Sequence, residues 1–153
     1  MTANANQLVD AMNGAIESTI PIAHKMGVKV IEARPGFAAT TVPAEGNGNH
    51  FGVIYAGVLF TVAEVLGGII PLISFDNSKY FPLVKDLDIK FVAMAKSNVR
   101  AEASLDDETI ARVEAEAAER GKADFTLDAV VTDADGQTVA TTRGLYQLRA
   151  VRT

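Results

Sequence analysis

The sequence predicts an α+β fold, a curved antiparallel sheet wrapped around one long central apolar helix. Three observations lead there. Val53 to Phe75 holds only three clearly polar side chains, Thr61, Glu64 and Ser74, and a helix apolar on nearly every side has to be enclosed. Four later segments alternate apolar and polar residues with period two, the mark of strands with one buried face. The order of a helix, a hairpin, the apolar helix and then a run of strands suits one antiparallel sheet with a helix packed on it.

Residues 6–22 carry Leu8, Met12, Ala15, Ile16 and Ile20 at helical spacing, so a short amphipathic helix is expected there, limited by Pro21. Residues 28–33 and 37–42 predict the two strands of a hairpin. Pro35-Gly36 between them presets one turn dihedral and tolerates positive φ at the next. Residues 43–52, rich in Gly and Asn, predict a loop. The long helix is expected over residues 54–72, with Pro71 loosening or ending its last turn. A second loop is expected over 76–82.

Residues 84–93 then place Leu87, Ile89 and Phe91 on one face and Asp86, Asp88 and Lys90 on the other. Residues 98–105 turn Val99, Ala101, Ala103 and Leu105 inward, and residues 123–133 do so with Phe125, Leu127, Ala129 and Val131. Residues 137–149 complete the set, and Asp135-Gly136 marks a hairpin before them. Residues 106–120 predict a helix with acids in its first turn, Ile110, Val113 and Ala117 on one stripe, and Gly121 at its C-terminal cap. The expected organisation is one domain over 1–153, a helical segment at 1–26 followed by a core at 27–149.

The composition, 48% hydrophobic and 22% charged, is that of a globular chain. A net charge of −5 repels phosphate backbones and argues against nucleic acid as a general partner. The apolar stretch is long enough to span a bilayer. Glu64 near its middle would be costly there, so a core helix and no membrane are expected. Cysteine is absent, which removes disulfides, thiolate nucleophiles and Cys-ligated metals. The first ten residues lack the basic and apolar regions of a secretory signal, and a cytoplasmic location is expected.

Glu64 is the sharpest chemical signal. A carboxylate buried without partners is costly, so it must be paired, protonated or functional. Burial raises its pKa toward the range of a general base. Its bland alternative is a glutamate at a subunit seam or solvent edge. Asn47, Asn49, Gly52 and Gly57 lead into the N-terminus of the same helix, where unpaired amides and the helix dipole suit an oxyanion. A flexible Gly-rich linker is the bland reading of that loop. His50 lies within it, and His24 reads as structural. Two histidines are too few for a three-ligand zinc site without carboxylates, so no metal is expected. Tyr55 reads as core packing with its hydroxyl at the rim.

The segment Asn49-His50-Phe51-Gly52-Val53-Ile54-Tyr55-Ala56-Gly57, with the apolar run to Glu64, resembles the hotdog-fold thioesterases. The likeness is to the PaaI-like group and the related uncharacterised thioesterase-like domains of the DUF4442 type. The family pattern is an Asn, a Gly three later, a His-Gly-Gly, then an apolar run ending in Asp or Glu. Asn49, Gly52, Gly57 and Glu64 match in register, and the resemblance extends over residues 27–149, with Arg120-Gly121-Lys122 and Asp133 to Gly136 included.

The resemblance implies a six-stranded antiparallel sheet around the helix. It implies subunits that pair to extend the sheet, as a homodimer or a homotetramer of two dimers. The active site would lie at the dimer interface, with Asn49 of one subunit facing the partner subunit's Glu64. Asn49 and the Gly57 amide would polarise a thioester carbonyl, and Glu64 would activate water or attack directly. The substrate would be an acyl-CoA, with no cofactor beyond the CoA it carries. His50, Gly52 and Tyr55 would contact it, and Arg120 and Lys122 would meet its 3′-phosphate. The departure is Tyr55-Ala56-Gly57 in place of His-Gly-Gly, which removes a histidine that helps orient the thioester.

Two other functions fit the residues. A hotdog dehydratase or hydratase is echoed by His50-Phe51, by Gly57-Val58-Leu59 and by the spacing of His50 and Glu64, and it would need both ionisable groups. A non-catalytic module would bind acyl-CoA or another lipid-like ligand without turnover.

Overall fold

The computed structural model of the chain describes residues 2–152. Helix α1 spans Thr2–Thr19 and α2 spans Pro21–Met26. They are followed by β1 (Lys29–Arg34), β2 (Phe37–Val42), α3 (Ala56–Glu64), α4 (Leu66–Ser74) and β3 (Tyr80–Phe91). The remainder is β4 (Val99–Ser104), α5 (Asp107–Arg120), β5 (Lys122–Thr132) and β6 (Thr138–Ala150). The six strands form one sheet in the order β1-β2-β4-β5-β6-β3, and every neighbouring pair is antiparallel. This is the α+β hotdog architecture, with the sheet curved around α3 and α4.

The small residues on the sheet's inner face explain how the helix fits. Ala38, Ala101, Ala103, Ala123, Ala129 and Ala140 are all buried, and short side chains let the helix lie close. Val58, Leu59, Val62, Ala63, Leu66, Ile69 and Ile70 fill the remaining space from the helix side. The segment Ala56–Ser74 is apolar and long enough to cross a membrane, with a mean hydropathy of 2.0. Here it is instead the core of the sheet's concave face, as the apolar run predicts. Strands β4 and β5 bury the residues that alternation turns inward.

Several expectations are refined or corrected. Pro21 does more than limit the first helix. It has no N–H to continue α1, and its fixed φ opens α2 as that helix's first residue. Gly27 then closes α2 with φ at 87°. The long helix is interrupted at Val65, where the Gly68 amide turns to the Val65 carbonyl at 3.0 Å. Pro71 does not end it, and α4 runs on to Ser74. Strand β3 begins at Tyr80, and it tolerates Pro82 because it is the edge strand. For the same reason Leu87 and Ile89 are only half-buried and Phe91 is exposed.

The two edges of the sheet differ. On β1, the Asn13 side chain of α1 donates to the Val30 carbonyl at 3.0 Å and accepts from the Val30 amide at 2.8 Å. That edge is closed. On β3, Leu83, Val84, Phe91 and the following Val92 and Met94 are exposed.

Candidate active site

The loop before α3 is fixed by its own side chains. Asn47 donates through Nδ2 to the Met26 carbonyl at 2.7 Å and the Pro43 carbonyl at 2.8 Å, tying the loop to α2. The Asn47 carbonyl accepts from the Tyr55 amide at 2.9 Å. Asn49 Oδ1 accepts from the amides of Phe51 at 2.9 Å and Val53 at 3.3 Å. Gly46 and Gly52 supply φ of 80° and 76° at the turns, where a side chain would be strained. The flexible-linker reading of this segment is therefore set aside. The Oδ1 of Asn49 is engaged within its own loop, which leaves its Nδ2 as the group able to face a ligand.

The loop delivers the chain to the N-terminus of α3. Tyr55 is the N-cap residue, and its side chain makes no capping hydrogen bond among the described residues. The amides of Val58 and Leu59 donate to the Tyr55 carbonyl, while those of Ala56 and Gly57 find no protein acceptor among the described residues. Such first-turn amides sit at the positive end of the helix dipole and suit an anionic or polarised oxygen. A cavity of about 200 Å³ lies beside them, lined by Asn49, Phe51, Ile54, Ala56, Leu59 and Phe91, among others. Tyr55 does not enter the core. It is 56% exposed, and its ring folds back over Gly57, so close that a Cβ there would lie 2.5 Å from the ring. His50 is exposed and packs on Phe51, with ring centroids 4.0 Å apart.

Glu64 ends α3. Its side chain forms no ion pair among the described residues, and burial pushes its carboxyl above the ordinary glutamate range. Gly57 and Glu64 are seven residues apart on one helix, roughly 10 Å along its axis. A single protomer therefore does not bring the free amides and the carboxylate to one reacting atom.

Arg120 and Lys122 lie in a different place. With Arg149 and Arg152 they surround a cavity of about 650 Å³ that also touches Phe81, at the start of β3. No carboxylate lines it among the described residues. The helix-end cavity meets β3 at its other end, near Phe91, so the two lie roughly 30 Å apart along the strand.

Tyr146 is not among the residues singled out by the sequence. It is buried on β6 and its hydroxyl reaches the Glu64 carbonyl at 3.4 Å. Gly67 inside a helix and Gly144 inside a strand were the available signals, because interior glycines mark close approach.

Over residues 10–146 the chain matches the family model described as a domain of unknown function, DUF4442. The chain belongs to the DUF4442 family. Among solved structures, this DUF4442 domain is similar to a Pseudomonas aeruginosa protein described as of unknown function and a probable thioesterase. The two are 40% identical with a TM-score of 0.87, over 93% of this chain and 95% of that one. A Chlorobaculum tepidum protein of unknown function is 19% identical at a TM-score of 0.80, over 95% and 96% of the two chains. A Haemophilus influenzae thioesterase is 13% identical at a TM-score of 0.76, over 95% and 92%. At those lower identities the likeness is one of fold. The curated proteins give no match. The DUF4442 domain is thus a thioesterase-like hotdog protein, in line with the resemblance read from Asn49 to Glu64.

Proposed function

We propose that this DUF4442 domain is an acyl-CoA thioesterase, cleaving a thioester to a free acid and CoA at sites shared between two copies of the chain. The observation that carries the reading is the pair of acceptor-free amides at Ala56 and Gly57, set beside an apolar cavity. They would hold the thioester carbonyl oxygen and stabilise the negative charge that develops on it during attack. Asn49 Nδ2 would add a third donor. The partner subunit's Glu64, with a pKa raised by burial, would take a proton from the attacking water and pass it to the departing sulfur, or attack the carbonyl itself to give an anhydride that water then hydrolyses. The acyl group then leaves as the acid and the sulfur as CoA thiol.

The sheet edges support the shared site. Asn13 blocks the β1 edge, whereas β3 offers a long edge with exposed apolar side chains, which favours pairing with another strand. Two copies of β3 paired antiparallel about their middles would set the start of one beside the end of the other. The basic cavity of one protomer would then approach the helix-end cavity of its partner. Arg120 and Lys122, joined by Arg149 and Arg152, would meet the CoA phosphates there. His50, Gly52 and Tyr55 would border the entering substrate. The same pairing gives the homodimer, and a second contact between two such dimers would give the tetramer. The acidic, cysteine-free chain suits cytoplasmic chemistry without metal, membrane or nucleic acid.

The test is release of CoA thiol from short-chain, long-chain and aromatic acyl-CoAs. Turnover of at least one is expected. Saturable acyl-CoA binding without thiol release would favour the non-catalytic module, and hydration of an enoyl thioester that requires His50 would favour the hydratase.

A further inference from the structure

The interruption of the long helix falls beside Glu64, and two hydroxyls from the sheet bracket it. Thr40 on β2 donates to the Val62 carbonyl at 2.6 Å. Tyr146 on β6 donates to the Glu64 carbonyl at 3.4 Å. The Gly68 amide bonds to Val65 at 3.0 Å, which leaves the Glu64 carbonyl outside the helical ladder and open to the tyrosine. The tyrosine ring is closely confined. It stacks on Phe125 with centroids 5.7 Å apart and planes 17° from parallel. It also fills the space left by two glycines. A Cβ built on Gly67 would fall 1.8 Å from the ring, and one on Gly144 would fall 2.3 Å from it. Gly67 belongs to α4 and Gly144 to β6, so the slot is made by both layers of the fold.

We infer that Tyr146 is a positioning residue for Glu64, holding the helix break so that the carboxylate faces the site. This rests on the reading of Glu64 as the reacting carboxylate. The hydroxyl bonds to the main chain, so Tyr146 acts on the orientation of Glu64 and leaves substrate contacts alone. The tyrosine also stays protonated, because burial and the nearby Glu64 charge both push its pKa up. It is therefore a donor at neutral pH.

Tyr146→Phe keeps the ring and removes only the bond. Its kcat is expected to fall on the order of tenfold, as for a misplaced catalytic group, with KM within about twofold and the fold intact by circular dichroism. Gly67→Ala should give the same kcat loss by displacing the ring. Glu64 carboxyl titration, followed by NMR, supplies a readout that needs no turnover, and its midpoint should change in Tyr146→Phe as the carboxylate shifts its surroundings. An unchanged midpoint, or an unchanged kcat in the folded variant, would overturn the positioning role. Failure of the thioesterase reading would show separately, as turnover that survives Glu64→Gln or is absent in the wild type, and the titration would still decide the role of Tyr146.

Discussion

Asn13 on α1 and Val30 on β1 exchange two hydrogen bonds, the side-chain amide donating to the carbonyl at 3.0 Å and its oxygen accepting from the amide at 2.8 Å. The helix thereby occupies the outer edge of β1 in the way a neighbouring strand would. Asn13→Ala removes both bonds from a partly buried strand, and it should cost about 1–3 kcal/mol, read from urea unfolding. It should also open a second sheet edge, so light scattering should show larger assemblies than the wild type. Unchanged stability would mean that α1 packs through Met12 and Ile16 alone.

The opposite edge makes the contrasting prediction. Val84 is exposed on β3 and does not support the protomer's own core. Val84→Lys should leave secondary structure intact, convert the assembly to monomer in sedimentation, and abolish turnover. A monomeric variant with full turnover would place the whole site in one chain.

Thr40 ties the sheet to the helix through its 2.6 Å bond to the Val62 carbonyl, and it is fully buried. Thr40→Val keeps the shape but strands that carbonyl in an apolar core. The expected cost is about 1–3 kcal/mol, checked by chemical denaturation.

Burial makes the folded chain hold the Glu64 proton to higher pH than the unfolded chain does. Between the ordinary glutamate value and the raised one, the folded state binds more protons, so this group's contribution to stability falls as pH rises through that window. Glu64→Gln removes the penalty. Its Tm should exceed that of the wild type at pH 7, on the order of a few degrees. The difference should shrink as pH falls through the raised value and vanish below about pH 3, well under the normal glutamate pKa, where Glu64 is protonated in the folded and unfolded chain alike. Scanning calorimetry at both pH values checks the sign.

The architecture was legible where periodicity is strong. The two-residue repeat around Val99 and Phe125 and the apolar run around Glu64 each specify a face, and one face is enough to place an element. The break at Val65 was not legible, because it depends on hydroxyls from Thr40 and Tyr146, far away in sequence. Alternation of Leu87, Ile89 and Phe91 predicts a buried face for β3 but does not reveal that the strand is at an edge. In the site, Glu64, Asn49 and Gly57 stood out as polar or flexible residues in an apolar setting. The inward turn of Asn49 Oδ1 and the exposure of Tyr55 follow from loop geometry that local residue types do not encode. Arg149 and Arg152 join Arg120 and Lys122 only through strand pairing, in which Lys122 lies opposite Arg149.

The most direct test compares CoA release by the wild type and by Glu64→Gln on the best acyl-CoA substrate, with Tm measured on the same samples. The account predicts a variant at least as stable as the wild type and devoid of turnover. Release that is indifferent to Glu64 in the folded variant would contradict it.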